Sequence, residues 1–226
     1  MGCDIHIVIQ AQDADGAWRE IAYQEDSSWR DDWTPKEGIP LAPDVFSGRN
    51  YDLFAILADV RNGVGFAGIK TGQGWPSIAA HRELPEGFDE NAVLPHPEYP
   101  DEGPRSLGDH SFTWVMLAEL KAFPWDSIST TLYGVVSASD YERLSASGEA
   151  PTSYCGATSG PGIATYDPAT YAAVKFSASL AERPHVRMSW KETAREATND
   201  WPGKVLPWLD SLAAGRPLRL VLGFDS

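Results

Sequence analysis

The strongest constraint in this sequence sits at its two ends. Residues 3–10 alternate with a period of two, Cys3, Ile5, Ile7 and Ile9 on one side and Asp4, His6, Val8 and Gln10 on the other. Successive side chains of an extended chain point to opposite faces, so this pattern is a strand with one apolar face. The run Leu218–Phe224 (LRLVLGF) is too apolar for a surface loop and reads as a buried strand ending at Asp225. Both ends of the chain are therefore expected in one sheet.

Between them, the turn DADG at 13–16 leads to a second strand near residues 18–23, which suggests a hairpin. Residues 24–48, with three prolines and with Trp29 and Trp33 among acids, read as an excursion. Asn50 is a suitable N-cap for a helix starting at Tyr51, whose stripe Leu53/Phe54, Leu57 and Val60 closes at Asn62-Gly63. Residues 63–108 then turn to Gly, Pro and acids, with Pro at 76, 85, 95, 97, 100 and 104, the composition of a long binding loop or lid insertion. Beyond it, Asp109 or Ser111 would cap a helix over FTWVMLAELKAF. Further helices are expected at 139–147, 168–182, 191–198 and 201–214, with a strand at 186–190. The reading is α+β: a single domain over 1–226, a central mostly antiparallel sheet that includes both terminal strands, several helices, and the long Pro/Gly-rich loop.

Composition narrows the partners. The chain has 18 Lys+Arg against 32 Asp+Glu, a formal charge of −14, and no basic block. That balance argues against a nucleic-acid polymer or an anionic membrane surface, and leaves small polar ligands, cations and basic protein surfaces open. A hydrophobic fraction of 42 % fills a real core. Cys3 and Cys155 alone make neither a disulfide framework nor a thiolate zinc site, which points to a reducing compartment. The N-terminus lacks a basic region and carries Asp4 inside its apolar stretch, unlike a secretory signal, and no apolar run approaches the ~18 residues of a membrane span. His6 stands where a myristoylation motif wants Ser or Thr. The expectation is a soluble, cytoplasmic protein.

Four segments, MGCDIH at 1–6, NYDLFAILADVRN at 50–62, DHSFTW at 109–114 and LVLGFDS at 220–226, together resemble a family of uncharacterised bacteriophage and prophage proteins. Members open with the same six residues and close on a strand ending Phe-Asp-Asn or Phe-Asp-Ser. The resemblance implies a phage-borne, intracellular, single-domain protein of the bacterial host cell, and supplies no reaction.

The chemistry must come from the residues. On a strand, Asp4 and His6 share a face about 7 Å apart, so a carboxylate and an imidazole could ligate one divalent ion or form an oriented general base. Asp109-His110 and Asp59 stand at expected helix ends, and Asp225 leaves the last strand. Asp4, His6, Asp59, Asp109, His110 and Asp225 together are the ligand chemistry of a site for Zn, Mn or Mg, with Arg61 placed to stabilise developing charge. The bland reading is equally available: Asp109 as an N-cap, Asp59 as a surface residue, His6 hydrogen-bonded without metal. Strong metal signatures such as HExxH are absent. Cys3 faces away from Asp4 and His6, as a buried structural thiol does. The run Gly63–Gly68 spells GxGxxG but follows a helix, so it lacks the dinucleotide-binding context.

Trp29, Trp33 and Trp75 lie in polar, turn-rich segments where a ring commonly stacks on a ligand or pins a loop. With Arg49, Tyr51, Ser111 and Trp114 they form the candidate ligand-binding set. Lys70 belongs to a scatter of cations in or near the long loop that could meet phosphate. Three functions follow: a metal-dependent hydrolase of a small phosphorylated or nucleotide-like molecule, a non-catalytic protein that sequesters a small host nucleotide signal, or an acidic inhibitor of a host protein.

Overall fold

The computed structural model describes residues 2–24, 41–42, 49–94 and 103–225. Strand β1 (Asp4–Gln12) lies antiparallel to β8 (Leu218–Asp225), with Asp4 opposite Asp225 and Ala11 opposite Leu218. The hairpin partner β2 (Trp18–Gln24) flanks β1, and β3 (Leu41–Ala42) joins β2 in parallel. Strand β4 (His110–Met116) flanks β8, which gives the order β3-β2-β1-β8-β4. The two chain ends thus share one sheet, as the end patterns predict; that they pair with each other in its middle is a finding of the structure, and the class is α+β.

A second sheet, ordered β5-β7-β6, pairs β5 (Ser129–Ser137) antiparallel and β6 (Ile163–Tyr166) parallel to β7 (Arg183–Thr193). The helices are α1 (Tyr51–Ala58), α2 (Leu117–Ala122), α3 (Ala138–Ser147), α4 (Pro168–Val174), α5 (Ala194–Ala197) and α6 (Trp201–Ala213). One apolar core joins both sheets: Ile5, Ile7, Leu220, Leu222 and Phe224 from the first meet Leu132, Val136 and Trp190 from the second, together with Phe54, Leu120, Trp201 and Leu209 of the helices. Each such large side chain removed from water contributes about 1.5–3 kcal/mol, so this shared cluster is what unites the two sheets.

The first sheet is apolar on both sides. Val8 and Val221 face a smaller cluster built with Val93 and Leu107, against which Leu84, Phe88, Phe112 and Trp114 pack. Arg105 joins that segment to the sheet by an ion pair with Glu20, whose carboxylate also accepts from the Leu94 amide (2.8 Å). Residues 71–73 serve the second sheet instead: Tyr133 N–H donates to Thr71 O (2.7 Å) and Gln73 N–H to Thr131 O (2.9 Å), which pairs the free edge of β5. The described parts of 63–108 are therefore packed against both sheets.

Several expected elements differ. The helix expected over 112–123 is a strand to Met116 followed by the short α2. Both faces of the sheet are covered, so Phe112 and Trp114 on one side and Val115 on the other are all apolar, and the period-two signal disappears. Trp114 accordingly packs toward the smaller cluster, with the Arg82 guanidinium 5.3 Å above its ring. The helix expected at 168–182 stops at Val174, and strand β7 runs through to Thr193, leaving only Ala194–Ala197 helical. Helix α1 has its expected Asn50 cap but ends at Asp59 in left-handed conformation, short of Asn62-Gly63.

Candidate functional site

Antiparallel pairing brings three of the expected residues to one end of the first sheet. Asp4 sits opposite Asp225, and the Asp4 amide donates to Asp225 Oδ1 (3.2 Å). One step diagonally, His6 Nε2 lies 3.0 Å from Asp225 Oδ2, with both side chains about one-third to one-half exposed (34 % and 44 %). Arg49 grips Asp4 as a fork, Nε to Oδ1 at 2.8 Å and Nη2 to Oδ2 at 2.9 Å. Its guanidinium occupies the space where residue 2 would carry a Cβ, so Gly2 admits it. That fork holds the Asp4 carboxyl below the ordinary carboxylate range.

The remaining expected residues divide. His110 pairs opposite Phe224, whose ring faces the main core, and the two rings stack at 6.3 Å and 21°. His110 therefore lies on the face opposite His6 and Asp225, with Ser111 Oγ 2.9 Å from its Nδ1. The register shift at His110–Thr113 and the positive φ of Ser111 (55°) produce this placement. Asp109 is no helix cap: its amide donates to Phe224 O (2.8 Å) as the chain enters β4. Asp59 is engaged elsewhere, accepting from Asn62 Nδ2 (2.6 Å) and 3.7 Å from His81 Nε2. Cys3 is buried on the core side, its amide donating to Tyr51 Oη (3.4 Å), and Arg61 lies over the Tyr51 ring at 5.6 Å. Burial pushes the Cys3 thiol up, with an Arg61 hydrogen bond opposing.

No group of three or more His, Cys, Asp and Glu side chains able to hold a metal forms among the described residues. The donors nearest to one, Asp4, His6 and Asp225, are already engaged with Arg49 and with each other. Trp29 and Trp33 lie outside the described residues. Trp75 is buried at 5 % exposure, with its indole N–H on Asp52 Oδ1 (2.7 Å), so its ring belongs to the core.

Trp75 instead marks an acidic pair, half-buried Asp52 and buried Glu192, that the sequence did not suggest. Asp52 also accepts from Tyr154 Oη (3.0 Å), and Glu192 accepts from the Trp190 indole (2.6 Å). Burial pushes both carboxyls up, with the donors opposing, and the charge of Asp52 adds to the shift at Glu192. Tyr154 packs edge-on against Trp190 at 5.0 Å, and both abut the position of a Cβ at Gly134.

Above Gly134 lies a cleft of about 640 Å³, lined by Lys70, Tyr133, Tyr141, Arg187 and Ser189 among others, and by no acidic residue. Among the described residues Lys70 and Arg187 form no ion pair, whereas Arg19, Arg49, Arg82, Arg143 and Arg195 are all matched to carboxylates. Lys70 Nζ lies 5.8 Å over the Tyr133 ring. Sequence reading found Lys70 but missed Arg187, Tyr133, Tyr141 and Ser189. The signal was present: continuing the alternation of 186–190 in both directions puts Arg183, His185, Arg187, Ser189 and Lys191 on one face of β7.

Comparison of the chain with protein-family models, with curated proteins and with solved structures finds no match. No helix among the described residues is long and apolar enough to cross a membrane.

Proposed function

We propose that this chain binds a small anionic, nucleotide-like molecule in the cleft at Lys70 and Arg187 and sequesters it without turnover. The observation that carries this reading is the pair of cations without carboxylate partners on an acid-free cleft, in a chain of net charge −14. Two cations are the complement of phosphate oxygens, and the rings of Tyr141 and of Tyr133, one face of which carries Lys70, line the same cleft and can meet a base. A cleft of this size is within the range of small-molecule sites. The resemblance of the end motifs to phage proteins suits an accessory role in a host cell.

The test is calorimetric titration with nucleoside mono-, di- and triphosphates, with product analysis of the same mixtures. Each charge-assisted contact supplies about 1.5–3 kcal/mol, so Lys70→Ser with Arg187→Ser is expected to weaken binding at least tenfold. Absence of binding across the panel would remove this reading.

A second reading rests on the His6–Asp225 contact. An imidazole held by a carboxylate at 3.0 Å is an oriented general base, and the chain would then be a hydrolase of a small phosphorylated molecule. A divalent ion could join it through His6, Asp225 and Asp4 once Asp4 leaves Arg49, and would supply an activated water. Turnover lost in His6→Ala and Asp225→Asn, together with divalent-ion uptake lost in Asp4→Ala, would favour this reading over sequestration.

A further inference from the structure

The cleft is the middle of a longer feature. Arg183, Arg187 and Lys191 are all exposed and repeat every four residues on one face of β7, a row spanning about 26 Å at ~3.3 Å per residue. The residues directly opposite on β5 are Thr131, Tyr133, Val135 and Ser137, and those on β6 are Ile163 and Thr165. The strand residues of this surface include no carboxylate; Asp167 follows the end of β6 and Glu182 precedes Arg183, yet none of the three cations forms an ion pair among the described residues. Glu192, the acid in this part of β7, points to the other side with Trp190.

A single nucleotide cannot reach both ends of such a row. We propose that the preferred ligand is a short single-stranded oligonucleotide, with its phosphates along Arg183, Arg187 and Lys191, Lys70 beside them, and a base against Tyr133. This rests on the nucleotide reading above and extends it. Single strands are commonly held by a cationic track interleaved with ring faces that stack on bases, which is the order found here: Tyr133 stands beside Ser189, between Arg187 and Lys191. An acidic peptide would use the cations and leave the Tyr133 face unused. The net charge of −14 argued against nucleic-acid polymers in general. Segregation of charge narrows that statement, because a short strand stays within the cationic row while a long duplex meets the acidic surroundings within a Debye length of about 8–10 Å.

Fluorescence anisotropy with labelled oligothymidylates of increasing length, with unlabelled mononucleotide and a polyglutamate peptide as competitors, tests this. Affinity is expected to rise with length until the row is filled, and to fall with salt at a slope of about −0.7 per phosphate engaged. Arg183→Ser with Lys191→Ser, both at exposed positions, should cost the oligonucleotide tenfold or more and leave the mononucleotide unchanged. Tyr133→Leu should weaken the oligonucleotide and spare any peptide binding. Oligonucleotides that bind no more tightly than the mononucleotide would overturn this inference while the cleft reading stands. Failure of every nucleotide would overturn both. Displacement by polyglutamate at matched charge would also overturn it, since charge alone would then account for binding.

Discussion

At the end of the first sheet the charges brought together satisfy one another: Asp4 lies in the fork of Arg49 and Asp225 holds His6. On the outer face of the second sheet, Arg183, Arg187 and Lys191 stand in a row and form no ion pair among the described residues. The first arrangement is what a folded chain does with charge when it needs a geometry for its own sheet. The second leaves electrostatic attraction unsatisfied, and in an acidic protein that is the rarer condition. Sequence inspection favours the first site because its residue types look catalytic, whereas the second is distinguished by what its neighbours lack.

The contrast can be broken most forcefully at Phe224. This fully buried ring packs on Phe54 at 5.4 Å and under His110, and it directly precedes Asp225. Phe224→Ala is expected to cost about 3–5 kcal/mol in urea unfolding and to loosen the His6–Asp225 contact, visible as a shift of the His6 ring signals in NMR. A loss below about 1 kcal/mol would show that the sheet end is not seated by the core.

Next in size is pH. Asp52 and Glu192 have folded-state affinities for protons above the ordinary carboxylate values, so their protonated forms favour the folded chain. The stability they contribute is fully present below the unfolded carboxylate values of about 4, and is lost as pH rises through the raised folded values. Melting temperature should therefore be higher at about pH 5 than at pH 8. Asp52→Asn with Glu192→Gln should reduce that difference, with Glu20, which burial also pushes up, keeping a part of it. A profile unchanged by the double variant would remove the acid pair as its source. Asp4 acts in the opposite sense: its lowered value adds stability above the ordinary carboxylate range, lost as pH falls through the lowered folded value.

Smaller effects sharpen the comparison itself. The Asp4–Arg49 pair is about half exposed on both sides, and a double-mutant cycle should return a coupling of about 0–1 kcal/mol, decreasing with salt. Arg187→Ser should change stability by no more than about 0.5 kcal/mol, because it forms no ion pair among the described residues, and Lys70→Ser should add at most the loss of an exposed cation–ring contact with Tyr133, about 0.5–1 kcal/mol. A large destabilisation at Arg187 would mean that it serves the fold and would weaken the binding reading.

Alternation marked β1 and a continuous apolar run marked β8 as strands, which was enough to expect both in one sheet. The same logic failed at β4, where Phe112, Trp114 and Val115 are apolar on both faces, and with it failed the expectation that His110 joins His6. A bulge and one left-handed residue decide which side His110 faces, and neither has a reliable signature at His110-Ser111. Trp75 resembled a ligand-stacking residue because of its neighbours in sequence, although the residue that engages it, Asp52, lies 23 positions away.

By itself, then, the sequence determined that both ends are strands, that Asn50 starts a helix, and that Asp4 and His6 share a face, since each is a local property of period or capping. Tertiary structure decided that Asp225 meets His6, that Asp52 and Glu192 come within electrostatic reach of each other, and that four cations without ion pairs among the described residues border one strand surface. Those outcomes depend on register and on which segments cover which face, quantities set by contacts between residues far apart in the chain.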